Sequence, residues 1–375
     1  MQTTGRITLA QFLRDPTGVP DGASGDTAEL GALLLEVAAT LRDIAAMTTR
    51  GALGGPECGL ADGGYLGALA QCNVQGETQK KLDLLAHEAL VRGLEASGRV
   101  AGMASEEAEA PIAVAADPGR RRGRFLLVFD PLDGSSNTDV NISVGSIFSV
   151  LRHDEDPAPR APDFLQPGRS QVAAGYAIYG PATMLVLSLG RGTHGFTLDR
   201  DTGDFVLTHP ALRIPETCGE FAINMSNARF WEPPVQRYVA ECQAGRQGER
   251  GQDFNMRWIA CLVAEVHRIL MRGGVFLYPR DSREPRRPGR LRLLYEANPA
   301  ALLIEQAGGL ASTGRQRLQE LQPESLHQRV PVILGCAAEV LRLERYHAEH
   351  DEGRDRPFAS PLFSARSLFG LQPSA

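Results

Sequence analysis

The sequence predicts a mixed α/β protein, and three observations carry that prediction. The chain has 375 residues, 43% of them hydrophobic and 22% charged. That is an ordinary globular composition with enough apolar residues for two domains or one large one. Two long stretches with helical spacing come first, followed by a series of short apolar runs separated by turn residues. From about residue 210 the pattern changes to helices alternating with short strands, which favours two domains with a boundary near 209.

The elements follow in chain order. Leu30, Leu33, Leu34, Val37, Leu41 and Ile44 fall on one face of a helix over 27–48. Residues 51–70 are rich in Gly and small side chains, contain Pro56 and read as a mobile loop, in which Cys58 is the cysteine expected to be exposed. Leu82, Leu85, Leu90 and Leu94 define a second helix over 78–96. Residues 125–129 form a buried strand. The short runs 146–151, 172–179, 183–189, 195–198 and 205–208 read as an antiparallel meander. Residues 153–170 carry four prolines and several charges, as an irregular surface loop does. In the second half, 256–270 reads as a helix, 274–278 and 291–295 as strands, and 280–290 as a basic loop. Pro299 suits the first turn of a helix ending at Gly308-Gly309; a strand over 330–334 and a helix to about 348 complete the pattern. The tail from His350 is polar, then carries Phe358, Leu362, Phe363, Leu368 and Phe369.

Bulk properties exclude several function classes. A net charge of −6 gives no global attraction to nucleic acid or an anionic membrane. No apolar run approaches the roughly 20 residues of a membrane span. The N-terminus leads into no signal-like apolar core, so the cytoplasm is the expected compartment. The six cysteines are scattered with no CxxC pair, which argues against zinc or a disulfide framework. No EF-hand, P-loop, HExxH or GxGxxG pattern stands out, and the histidines show no paired ligand spacing.

The most informative stretch is Asp130-Pro131-Leu132-Asp133-Gly134-Ser135-Ser136-Asn137. Two carboxylates sit where a strand gives way to a turn, followed by small residues whose main-chain N–H groups can face an anion. Carboxylates for a cation beside amides for a phosphate suggest metal-dependent phosphate chemistry. Mg²⁺ binds carboxylates together with substrate phosphate, and other strand and helix ends supply more acids: Glu106, Glu107, Glu296 and, on the second helix, Asp83. Asp83 and Glu107 are candidates to take a proton from an attacking water. Each feature has a plain structural reading on its own. Asp133-Gly134 is a common turn pair, Ser136 or Asn137 could cap a helix, Glu106-Glu107 could be solvated, and Asp83 could pair with neighbouring lysines. Their combination favours a site.

These residues resemble class I fructose-1,6-bisphosphatases, within the magnesium-dependent, lithium-sensitive sugar phosphatases. The 130–137 motif is specific for the bisphosphatase branch, and 75–83, 165–169, 172–176, 182–186, 273–279, 291–296 and 326–335 also look like family blocks. The resemblance covers roughly 7–347. It implies a layered αβαβα fold: residues 1–209 for metal and 1-phosphate, 210–350 for the sugar phosphate, and a tail over 351–375. It implies hydrolysis of fructose 1,6-bisphosphate, in gluconeogenesis or the Calvin cycle, by a cytoplasmic homotetramer. Glu106, Glu107, Asp130, Asp133, Glu296 and the Leu132 carbonyl would hold two or three Mg²⁺, with Mn²⁺ as a substitute. Asp83 and Glu107 would activate water, and Asp133, Gly134, Ser135 and Ser136 would hold the 1-phosphate end. Asn224, Tyr278, Arg290 and Arg292 would bind the 6-phosphate, with Arg257 reaching across from a neighbouring subunit.

The sequence also departs from the family pattern. Arg290 stands where many members have Lys, Trp258 and Asn227 where Tyr is frequent, and Ala260-Cys261 where Gly-Ser is common beside the sugar. These changes leave room for a dual enzyme that also accepts sedoheptulose 1,7-bisphosphate. A catalytically silent sugar-phosphate-binding regulator and an inositol-phosphate phosphatase are further alternatives. The complete acid set argues against the first, and the 135–137 and 291–296 blocks against the second. The AMP site of animal members uses a Gly-rich, Thr-containing turn opening the first helix, a Lys-Tyr pair and an Arg. Here the turn reads Gly22-Ala23-Ser24-Gly25-Asp26-Thr27, the pair is Arg124-Phe125, and only Arg152 matches, so AMP inhibition is expected to be weak or absent. The 153–170 loop has no cysteine, so the chloroplast type of redox switch is expected to be absent.

Overall fold

The computed structural model describes residues 6–14, 24–53, 65, 67–72, 78–114, 123–153, 158–285 and 288–355. Helices Ser24–Arg50 and Lys81–Glu95 form where the leucine spacing places them. Their inward residues Leu33, Leu34, Val37, Leu41, Ile44, Leu82, Leu85, Leu90 and Leu94 share one core with Phe125, Leu127, Phe129 and Phe148. The helices therefore cover one face of the sheet that follows.

That sheet has eight strands, in the order Phe205–Leu212, Thr193–Leu198, Thr183–Ser188, Ala173–Tyr179, Val144–Arg152, Phe125–Asp133, Val100–Ser105 and Ile112–Ala113. From Phe125 onward each strand runs antiparallel to the one before it, giving the expected meander. Val100–Ser105 is parallel to Phe125–Asp133. All nine residues of Phe125–Asp133 are buried, because both faces of the strand are covered.

On the far face, Ile147, Tyr176, Ile178 and Val186 meet Val263, Val266 and Ile269 of helix Leu262–Arg272 and Ala300, Leu303 and Ile304 of helix Asn298–Gln306. The same helices pack on Ala222, Phe276, Val332 and Leu334 of a second sheet. Its five strands run Asn255–Met256, Glu220–Ile223, Val275–Tyr278, Val332–Gly335, Leu310–Ser312. The alternate residues Phe221, Ile223, Val275, Leu277 and Ile333 point outward against helices Pro233–Ala244 and Ala337–Asp351. The layers are helix, sheet, helix, sheet, helix, as the resemblance implied. No described helix is long and apolar enough to cross a membrane.

Several expected elements are corrected. The helix expected over 256–270 begins only at Leu262. Asn255–Met256 instead pairs as a strand with Glu220 and Phe221, and Ala260 takes a left-handed φ of 60° that no helix continues through. The strand expected over 291–295 is limited to Leu291–Arg292; residues Leu293–Ala297 form a π-helical turn leading into helix Asn298–Gln306. The run Leu293-Leu294-Tyr295 is buried on every side, and such a run suits a buried helix as well as a strand. Helix Pro233–Ala244 is an addition to the expected elements, although its leading Pro233-Pro234 is a helix-start signal. Within 153–170 a short helix, Ala161–Phe164, buries Phe164 completely. The end of the expected loop over 51–70 is strand Ala68–Cys72, paired with Thr78–Lys80. Cys58, residues 75–77 of the family block, Gly22 and Ala23 of the opening turn, and the tail from 356 lie outside the described residues.

Candidate active site

The acid cluster begins with an irregularity in strand Phe125–Asp133. Leu126 and Val128 face the inter-sheet side, where they pack with Leu294 and Tyr295, so Asp130 follows them onto that side. Asp133, three residues on, would alternate onto the opposite face of a regular strand. A β-bulge prevents this: Asp130 pairs with Ile147 but Asp133 with Gly145, one extra residue on the bulged strand. Pro131, which has no N–H for a ladder, occupies the bulge. Leu132 then rejoins the helix-side core that already holds Leu127 and Phe129, and Asp133 turns toward Asp130.

The opposite wall comes from the π-helical turn and from the start of helix Leu262–Arg272. Asp130, Asp133 and Glu296 are buried, and each offers an oxygen within 4.8 Å of the others. The Asp133 carboxylate accepts from the main-chain N–H of Val263 at 2.6 Å and from the Cys261 thiol at 2.9 Å, so it faces the N-terminus of that helix. Asp130 accepts from Leu132 N–H at 3.0 Å. Gly134 has φ 77°, and a Cβ there would lie 2.6 Å from the Cys261 Cβ, so glycine is required on both counts. Asn137 ties the turn down by donating to the carbonyls of Ser143 (3.2 Å) and Ile259 (2.9 Å).

Glu106 follows strand Val100–Ser105 and extends its pairing by donating its N–H to Phe129 O at 3.1 Å. Its side chain meets Arg292 at 2.5 Å, and Arg292 also donates its main-chain N–H to Glu296 at 2.6 Å. The adjacent Glu107 donates its N–H to Ser105 Oγ at 3.3 Å, and Ser105 Oγ is 2.8 Å from His87 Nδ1. His87 lies one turn beyond Asp83 on helix Lys81–Glu95, so this contact couples the Asp83 helix to the Glu106-Glu107 corner. Asp83 is buried; one oxygen accepts from Lys80 N–H at 3.0 Å, and Oδ1 has no hydrogen-bond partner.

Burial and crowding shift the acids together. Burial first, then the charges of Glu106, Asp133 and Glu296, hold Asp130 well above the usual carboxylate range. Burial raises Asp133 too, against the hydrogen bonds it accepts. Glu296 is pushed up to about 8 by burial, with Arg292 opposing. Asp83 is raised to about 7 by burial, with Glu107 and Glu106 adding repulsion. One arginine among this many buried acids leaves negative charge uncompensated, and an all-oxygen donor set with an orphaned buried carboxylate oxygen fits hard divalent cations.

The basic end lies at the end of the second sheet. Ile223 pairs with Leu277, so Asn224 and Tyr278, the next residues on neighbouring strands, come side by side. Asn224 accepts from Ser226 N–H at 3.1 Å and caps the turn Met225–Phe230. Trp258 stacks on Phe276 (6.0 Å, 4°) and tilts against Tyr278 (5.8 Å). Arg290 is 3.0 Å from Glu284 and 3.7 Å from Asp281. The Tyr278 hydroxyl is raised by burial and senses both Arg290 and Glu296, so the basic and acid ends adjoin. Arg257 is half-exposed, 3.6 Å from Glu220. Arg292, expected with the 6-phosphate group, lies between Glu106 and Glu296. Sequence reasoning missed the support given to Asp133 by Cys261 and Val263; the available signal was a thiol at the start of an apolar helical run.

Residues 23–210 match the family described as Fructose-1-6-bisphosphatase, N-terminal domain, and residues 214–348 match Fructose-1-6-bisphosphatase, C-terminal domain. The chain is 55% identical over 372 residues to a fructose-1,6-bisphosphatase class 1 of Methylibium petroleiphilum, covering 98% of this chain and 99% of the relative. It is 55% identical over 363 residues to that of Hydrogenophilus thermoluteolus, covering 96% and 97%. The crystal structure of Leishmania major fructose-1,6-bisphosphatase in holo form is similar with a TM-score of 0.79 at 35% identity, covering 92% of this chain and 99% of that one. The chain belongs to the class 1 fructose-1,6-bisphosphatase family.

Proposed function

We infer that the chain hydrolyses fructose 1,6-bisphosphate to fructose 6-phosphate and inorganic phosphate. The observation that carries this reading is the buried acid cluster of Asp130, Asp133 and Glu296, set against a glycine turn and adjoining a basic sugar-phosphate end. Glu106, Glu107, Asp130, the Leu132 main chain, Asp133 and Glu296 would hold two to three Mg²⁺. When bound, Mg²⁺ supplies charge neutralisation for phosphoryl oxygens and lowers the pKa of water. Asp83, raised to about 7, is suited to take the proton of the attacking water near neutral pH, with Glu107 beside it. Asp133 and residues Gly134, Ser135 and Ser136 would position the 1-phosphate end. Asn224, Tyr278 and Arg290 would hold the 6-phosphate, with Arg257 supplied by a neighbouring subunit and Arg292 contributing from its place between Glu106 and Glu296.

The division into 1–209, 210–350 and a tail, the homotetramer, the cytoplasmic setting and a role in gluconeogenesis or the Calvin cycle belong to the same reading. Phosphate release from purified protein tests it, with the six- and seven-carbon bisphosphates side by side. A preference above about a hundredfold for the six-carbon substrate, near 2.7 kcal/mol, supports a dedicated enzyme. Comparable kcat/KM values indicate the dual enzyme, and no release from either substrate overturns the reading.

A further inference from the structure

Two buried thiols meet at the end of the second sheet opposite Asn224 and Tyr278. Cys218 precedes strand Glu220–Ile223, and Cys336 follows strand Val332–Gly335 and opens helix Ala337–Asp351. These strands flank Val275–Tyr278 on either side. Val275 pairs with both Phe221 and Gly335, so the register carries both cysteines past the start of the central strand. That start is Gly273-Gly274, which puts no side chain between them. A Cβ on Gly273 would lie 3.6 Å from the Cys218 Cβ, and Gly274 O accepts from Cys336 N–H at 2.9 Å. Cys336 Sγ donates to Glu216 O at 2.9 Å, two residues before Cys218 and beneath the same turn, and each thiol shifts the ionisation of the other.

We propose that Cys218 and Cys336 are a redox modification site that closes to a reversible disulfide on reaction with hydrogen peroxide. The neighbouring Cys218 thiol and the main-chain N–H groups of Ala338 and Glu339 favour a thiolate at Cys336, while burial, the Glu339 charge and the Glu216 carbonyl favour the thiol. The Cys336 thiolate attacks one peroxide oxygen, the O–O bond breaks, and hydroxide leaves to take up a proton as water. The Cys218 thiol then attacks the resulting sulfenic sulfur, forming the S–S bond and releasing a second water. Two thiols are oxidised and one peroxide is reduced. Both sulfurs are buried, so a small neutral oxidant is the reactant rather than a bulky disulfide. The bond would close the chain from 218 to 336 and restrict its unfolded state. This position is separate from the 153–170 loop and from the acid cluster.

The test treats the full-length protein with hydrogen peroxide, blocks remaining thiols, and measures intact mass and non-reduced peptides. The wild type is expected to lose the mass of two hydrogens and to yield a peptide linking Cys218 to Cys336. Dithiothreitol reverses both changes, while phosphate release is retained. Cys218→Ser and Cys336→Ser abolish the loss, and Cys242→Ser keeps it. The linked peptide is read on the wild type, so the result does not depend on the variants folding. Oxygen addition without the link, no change at all, or a two-hydrogen loss that persists in Cys218→Ser overturns the proposal.

Discussion

The acid and basic ends of the candidate site are assembled in opposite ways. Asp130, Asp133 and Glu296 are buried together with Arg292 as their near cation, and their carboxyls are raised by burial and mutual repulsion. At the basic end Arg290 pairs with Glu284 and Asp281, and Arg257 shares Glu220 with Arg268 and Arg272. The first arrangement sacrifices stability to concentrate charge. The second holds its groups in place with ion pairs, which suits recognition more than chemistry. Variants at the two ends should therefore differ in kind: kcat at the acid end, KM at the basic end.

The largest effect is expected at Asp133. Asp133→Asn should reduce phosphate release by about a thousandfold or more, near 4 kcal/mol, while the metal-free protein melts no lower than wild type because repulsion is relieved. Steady-state kinetics and thermal unfolding measure the two together. Retention of a tenth of wild-type activity would remove Asp133 from the centre of the mechanism.

Metal removal sharpens the contrast through pH. Glu296 and Asp83 have folded values of about 8 and about 7, above their ordinary 4.5 and 3.8. A raised acid is held protonated in the folded state, so the unfolded chain releases its proton first. Stability is then lost as pH rises from the ordinary carboxylate value through the folded one. The chelated protein should melt at a lower temperature at about pH 8.5 than at about pH 5.5, and saturating Mg²⁺ should reduce the difference. Glu349 and Asp351 are shifted downward by their arginine partners, and their contribution is complete below this window. His87, His194, His267, His327 and His347 are held neutral by burial and act in the opposite sense near their ordinary 6.5, so the comparison is made with Glu296→Gln, which keeps all five. A chelated Glu296→Gln protein with the same pH dependence as wild type would contradict the repulsion account.

At the basic end the expected change is smaller. Arg290→Ala should raise KM about tenfold, near 1.4 kcal/mol, with kcat largely kept, and Arg290→Lys should recover most of the loss. A fall in kcat with unchanged KM would place Arg290 in the chemistry and erase the distinction between the two ends.

The acid end is far more legible in the sequence than the basic end. Residues 130–137 are contiguous and chemically distinctive, and the helices around them follow from leucine spacing. What the sequence does not reveal is the bulge that brings Asp130 and Asp133 to one face; apolar patterning ends the strand at 129, whereas it runs to Asp133. Glu296 is recognisable but reads as a strand end, because a short run buried on all sides has no period to read. The basic end is spread over 224, 257, 278 and 290, and its assembly depends on the pairing of Ile223 with Leu277, a tertiary contact that no local pattern encodes.

The smallest effect concerns the helix side of the large sheet, where the family's AMP site would lie. Phe125 stands in place of the Tyr of the Lys-Tyr pair, and its ring is 2% exposed in the core formed with helices Ser24–Arg50 and Lys81–Glu95. Arg152, the matching residue, pairs with Phe125 across the sheet, so a cation is present but the phenol hydroxyl is missing. Phosphate release at saturating Mg²⁺ should therefore be insensitive to micromolar AMP. Phe125→Tyr should not restore a response, because its hydroxyl would enter a packed core at a destabilisation of about 1–3 kcal/mol. Strong inhibition of the wild type by micromolar AMP would show that the nucleotide is recognised by other groups, and that this face is tuned for regulation rather than packing.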